Sequence, residues 1–152
     1  MKNTYDGTQL FLRLALGAGF ILPVLDRLGL LGAPGTNGNA WGNWENFAGY
    51  SHTLMPYLSD SLSAVFAGIA TLAELVFGVA LIIGFQTRNA ARGSFVLTLI
   101  FAVSMFFFAS YRAPFSYSVL VDSAASLLLS MLPVYRWSLD YVKSSKRDSA
   151  YI

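Results

Sequence analysis

Residues 68–84 read GIATLAELVFGVALIIG, an apolar run with one carboxylic acid, Glu74, near its middle. Extended back to Ser61, the run is long enough for a helix to cross the roughly 30 Å hydrocarbon core of a bilayer, which takes about 20 apolar residues. Three further windows satisfy the same count, at residues 8–31, 90–110 and 116–137. The chain of 152 residues is 55% hydrophobic and 12% charged, with a mean hydropathy of +0.55. Any one window would also suit the core of a soluble protein, but four leave too little polar sequence to coat a water-facing surface. The reading is therefore all-α: an integral membrane antiparallel four-helix bundle. Residues 1–152 form a single transmembrane domain, with a long outer loop from Gly32 to Asp60 and a short basic tail at 138–152. Leu14–Leu25 resembles the apolar region of a signal peptide, but Asp26-Arg27 interrupts the cleavage region, so this segment is expected to be retained.

Charge gives the orientation and removes several functions. Lys2, Arg13, Arg88, Arg92, Arg136, Lys143, Lys146 and Arg147 gather near one side of the spans, and only Arg27 and Arg112 near the other. The positive-inside rule predicts a multi-pass inner-membrane protein with both termini cytoplasmic. A formal charge of +2 without a basic stripe argues against nucleic acid. The absence of cysteine excludes disulfides, thiol relays, iron–sulfur ligation and thiolate zinc. One histidine rules out a haem held by two, and His52 with Glu45 is too sparse a set to predict a metal site. Trp41, Trp44, Phe47, Tyr50 and Tyr57 suit either anchoring of the loop in the headgroups or gating of a substrate. Pro23 is expected to bend the first helix and Pro133 to end the fourth. The tail KSSKRDS should face anionic headgroups.

The segments LRLALGAGFILP, NWENFAGY and AELVFGVALIIGFQTRNAA together resemble the DoxX family of small four-helix membrane proteins, over most of residues 10–132. Some members of that family resemble or form the membrane subunit of a thiosulfate:quinone oxidoreductase, and others are linked to redox complexes. Family members often carry a lysine near the end of the first helix, where Asp26-Arg27 stands here. The resemblance implies no covalent cofactor and leaves a quinone open. It implies at most the membrane subunit of a quinone-linked oxidoreductase, working with membrane lipids and with other membrane subunits or further copies of itself. The rival functions are a non-catalytic accessory subunit, with Phe101, Phe106, Phe107 and Phe108 as its docking face, and a small-solute carrier, which short unbroken helices disfavour.

Each charge inside a span costs about 2.5–3.5 kcal/mol on insertion scales and so needs a partner. At about 1.5 Å per residue, Glu74 lies about 15 Å from the inner end and about 20 Å from the outer. Its face continues through Ala67, Thr71 and Gly78, a stripe of small residues that points into a helix–helix interface. Arg13 sits about 7.5 Å from the inner end and either snorkels or is buried. Because its side chain leans away from Glu74, the acid is expected to be neutral, hydrogen-bonded near Thr98 and Ser126. Glu74, Arg13, Thr98 and Ser126 form the intramembrane candidate site, structural or proton-handling beside a quinone. Asp26, Arg27, Arg112 and Asp122 lie at one outer level and form a second candidate, either a salt-bridge network or an anion or quinone-headgroup site.

Overall fold

In a computed structural model the residues described are 5–149. Lys2 and the side chains of Lys146 and Arg147, counted above toward the charge bias, lie outside the described residues. Every regular element in the described residues is helical. They are α1 (Tyr5–Arg27), α2 (Trp44–Thr53), α3 (Asp60–Ile83), α4 (Thr87–Ser104) continued by a π-helical turn (Met105–Ala109), α5 (Ala113–Ser116), α6 (Val119–Met131) and α7 (Leu139–Ser149). Three helices are long and apolar enough to cross a bilayer: α1, α3, and α4 taken with its π-helical turn.

The expected spans need four corrections. α1 ends at Arg27 rather than Leu31, because Gly29 turns into the left-handed region directly afterwards. The third span begins at Thr87 and changes to π-helical geometry over its last residues. The fourth helix has only 13 residues, about 20 Å at 1.5 Å each, so it falls short of a full crossing. It stops where Leu132 turns extended, the conformation that the following Pro133 imposes on its neighbour. Finally, the outer loop is not irregular throughout: Asn43 accepts a hydrogen bond from the Asn46 N–H and starts α2.

α1 packs on α3, α3 on α4, α4 on α6 and α6 back on α1, which closes the four long elements into a ring. Along α1 the buried residues Gln9, Arg13, Gly17, Phe20, Val24 and Arg27 recur at helical spacing. On α3 the buried face is the small-residue stripe, Ala67, Thr71, Glu74 and Gly78, with Leu81 below it. α1 and α3 meet closely at Gly17 and Gly78, where a Cβ on Gly78 would lie 3.1 Å from the Gly17 carbonyl oxygen. Large apolar side chains point the other way: Phe11, Leu72, Ile100 and Leu128 are all more than half exposed. An apolar outer surface around a core that holds the polar residues is what lipid requires and water does not tolerate.

One end of the ring is locked by the chain's C-terminal segment. Arg13 is fully buried and donates from Nε to the Leu81 carbonyl at 2.9 Å and from Nη2 to the Ile82 carbonyl at 3.1 Å. Its Nη1 reaches the Arg136 and Trp137 carbonyls. It thus satisfies acceptors in the last turn of α3 that have no partner within the helix. Gly84 supplies the left-handed turn after α3, with φ of +70°, and any Cβ there would strike Ser138 and the Arg13 guanidinium. The Gln86 side chain does not cap α4, and Asp140 does so from 53 residues away, accepting from the Thr87 N–H at 2.7 Å and the Gln86 N–H at 2.8 Å. Part of the expected free tail is therefore structural: Ser138 is buried and Asp140 is fixed by this cap.

Two outcomes follow from this packing. Gly78→Leu should force α1 and α3 apart and destabilise the protein by about 1–3 kcal/mol, read as a lower melting temperature in detergent, whereas Gly49→Ala, in open space, should leave it unchanged. Asp140→Asn keeps the shape of the cap but loses its charge at a helix N-terminus. A loss of about 1 kcal/mol is expected, measured the same way, and Asp140→Ser, neutral and too short to accept from both N–H groups, should lose at least as much.

Candidate functional site

Glu74 is buried on α3, and its partner is Arg27 at the end of α1. Arg27 donates from Nη1 to Glu74 Oε2 and from Nη2 to Oε1 at 3.3 Å, so both carboxyl oxygens accept from one guanidinium. Nη1 also donates to the Thr71 hydroxyl at 3.1 Å, and that hydroxyl donates to the Ala67 carbonyl one turn back. The Phe47 ring of α2 covers the guanidinium, with Cζ 3.9 Å from its centroid. One donor is left over: Arg27 Nε is buried without a hydrogen-bond partner among the described residues.

The arrangement follows from side-chain direction. α1 and α3 run antiparallel, and helical side chains tilt toward their own N-termini. Arg27 therefore leans toward the middle of the bundle from one end, while Glu74 leans up from the middle to meet it. The expected environment of Glu74 is corrected accordingly. Arg13 binds backbone at the opposite end, the Ser126 hydroxyl is buried without a hydrogen-bond partner among the described residues, and the Thr98 hydroxyl donates to the Ser94 and Phe95 carbonyls. The acid is not a lone hydrogen-bonded group but half of an ion pair.

The expected outer cluster also divides. Asp26 turns away from Arg27 and accepts three backbone N–H groups, from Ala40 at 2.9 Å, Trp41 at 3.1 Å and Gly42 at 2.9 Å. Gly42 adopts φ of +65° within this nest, and a Cβ there would collide with Pro34. Arg112 is exposed on the connection after the π-helical turn, and Asp122 is exposed on α6; neither has an ion-pair partner among the described residues. Four groups at one depth are thus split by the loop, which competes for Asp26 with backbone donors.

That competition builds the wall of a chamber. The Asp26 nest holds Trp41 over the end of α1, where its ring lies 4.7 Å from Tyr50 and 5.5 Å from Phe47. Of the loop aromatics, expected either to anchor in headgroups or to gate a substrate, Trp41, Trp44, Phe47 and Tyr50 stack on one another. Beneath them is a chamber of about 520 Å³ bounded by all four packed helices, with Arg27, Glu74, Thr98 and Asp122 in its lining. Gly19 and Pro23 also line it. Pro23 has no N–H to give the Gly19 carbonyl one turn earlier, so an acceptor is freed on this wall. Burial, reinforced by the neighbouring Tyr117, raises the Tyr50 phenol above its ordinary pKa and keeps it a donor at neutral pH. Phe101, expected on a docking face, lines the chamber, while Phe106, Phe107 and Phe108 stay exposed. His52 contacts Asp60 and Ser63 rather than Glu45, and no group of three metal-ligating side chains occurs among the described residues.

The sequence gives no local signal for Trp41, Phe47 and Tyr50 as chamber residues, since their positions depend on a loop folding back on Asp26. Thr71, by contrast, is visible from spacing alone, one helical turn from Glu74 on the same face. No curated protein and no solved structure matches the chain. The family model described as DoxX matches residues 8–110, from α1 through the π-helical turn, and so includes Arg13, Arg27, Thr71, Glu74 and Thr98. With most of its length in that match and apolar helices long enough to span a bilayer, the chain is a membrane protein of the DoxX family.

Proposed function

We propose that this protein is the quinone-binding membrane subunit of a redox complex, with the chamber beside Arg27 and Glu74 as its ligand site. The observation that carries the reading is a buried arginine–carboxylate pair, Arg27 with Glu74, both members of which line the chamber. A quinone ring has carbonyl acceptors at opposite edges and two flat apolar faces. The donors present suit it: Arg27 and the Tyr50 phenol for carbonyl oxygens, and the Trp41 and Phe101 rings for the faces. When bound, a quinone supplies reversible uptake of electrons and protons. Glu74 holds a carboxylate at the same wall, where it can take or give a proton, and Arg27 fixes its orientation. The chain itself supplies binding, orientation and proton handling, and a partner subunit supplies the electrons.

A buried ion pair can serve structure alone, and paired replacement separates the two roles. Removing one partner leaves the other unpaired and should destabilise the protein by about 3–5 kcal/mol. Replacing both with leucine, Arg27→Leu with Glu74→Leu, should instead preserve assembly within about 1–2 kcal/mol, because an apolar pair of similar volume is tolerated. The double variant is expected to fold in detergent and to bind a short-chain benzoquinone at least about tenfold more weakly than the parent protein, read by quenching of tryptophan fluorescence. Unchanged quinone binding in the folded double variant would make the pair structural, and absence of quinone binding by the parent protein would make the chain an accessory subunit.

A further inference from the structure

A second cavity of about 310 Å³ lies against the chamber. Arg27, Trp41, Tyr50, Phe101 and Met105 line both, so the two spaces share a partition. Their chemistry differs. Away from that partition, the lining of the second cavity is almost wholly apolar, between Phe66–Ala73 of α3 and Leu97–Ser104 of α4, under Leu54 at the end of α2. Its lining includes residues that look outward. Phe66 is 50%, Ile69 59% and Ile100 55% exposed, on faces that in a membrane meet lipid. The cavity is therefore a groove that opens sideways between α3 and α4, with Arg27 at its inner end.

We infer that this groove holds the hydrocarbon tail of an amphiphile whose ring occupies the chamber, and that the ligand passes from the bilayer through it. The inference rests on the chamber being a quinone site and adds the class of quinone, one with a long tail, and its route. Lipid is as apolar as the groove, so burial from water gives the tail no preference for it. The preference comes from position: a ring held at Arg27 places the attached chain against Ala70 and Ala73, the two small half-buried side chains that leave room for it. Asn39 and Ala40 line the chamber but not the groove, and Trp41 with α2 covers only the groove's loop end, so the α3–α4 side is the one that faces hydrocarbon.

The full-length protein in lipid nanodiscs tests this with two photoreactive probes. One is a benzoquinone with a decyl tail bearing a diazirine near its end, and the other is a tail-free azidobenzoquinone. The tailed probe should label Phe66, Ile69, Ala70, Ala73, Leu97 and Ile100, be displaced by unlabelled decylbenzoquinone, and label the outward positions Leu72 and Val79 only weakly and without displacement. Ala70→Trp, which fills the groove, should cut displaceable labelling by the tailed probe about tenfold while the tail-free probe still labels the chamber wall around Trp41 and Met105. Ile100→Trp on the opposite wall provides a second block in case the first variant misfolds. Equal labelling of groove and outward faces, or no effect of either block, overturns the tail groove while leaving the chamber reading intact. Absence of displaceable labelling by both probes overturns the chamber reading and the groove together.

Discussion

The ion pair between Arg27 and Glu74 sets the geometry on which the loop end of this bundle depends. Neither charge is tolerable alone in a bilayer, and pairing fixes α1 against α3 at one register. A long arginine reaches that register only if α1 stops near Arg27, and Gly29 and the Asp26 nest provide the stop. With the chain turned back at that point, residues 40–42 lie over the helix end and α2 brings Phe47 down on the guanidinium. The chamber is the space that remains beneath this cover.

The opposite end uses an arginine differently. Arg13 forms no ion pair among the described residues, with Asp140 acting on it only through space; it is held by backbone carbonyls of the α3 terminus and of the segment before α7. Both arginines lean toward the N-terminus of α1, but of the two only Arg27 forms an ion pair among the described residues. α1 is thus fastened to α3 twice, once by an ion pair and once by a helix-end cap. The Gly17–Gly78 approach between these points brings the backbones together. Asp140 adds a third tie by capping α4, so the polar groups near the C-terminal segment are largely consumed by structure, while those around the chamber are not.

How much of this is legible in the sequence depends on how local the cause is. Hydrophobic run length locates the long helices to within a few residues, and the three-and-four spacing of Ala67, Thr71, Glu74 and Gly78 identifies the buried face of α3. Pro133 marks the end of the fourth helix, but nothing local shows that it begins only at Val119. The partner of Glu74 is hidden by a depth count that carries the first helix to Leu31 and so raises Arg27 toward the outer surface. Side-chain lean, applied to α1 and α3 together, corrects most of that error without coordinates. The outer cluster is different in kind. Four charges at one level give no hint that three backbone N–H groups, brought back by a loop, will outcompete Arg27 for Asp26. The same long-range contact hides Trp41, Phe47 and Tyr50.

A structural ion pair needs only its two members and enough hydrogen bonds to fill their remaining valences. Arg27 has more than enough neighbours for that purpose, since Glu74, Thr71 and Phe47 surround it, yet one N–H is left without a partner. Closer packing would remove the 520 Å³ of space beside it, and bundles that need only stability fill such spaces with side chains. Here the adjoining wall holds Pro23, which releases a carbonyl, and Thr98 and Asp122, neither tied to the pair. Pro23, Thr98 and Asp122 line the same space as the pair. Polar groups collected around a cavity inside a membrane protein are the physical ground for the ligand site proposed above.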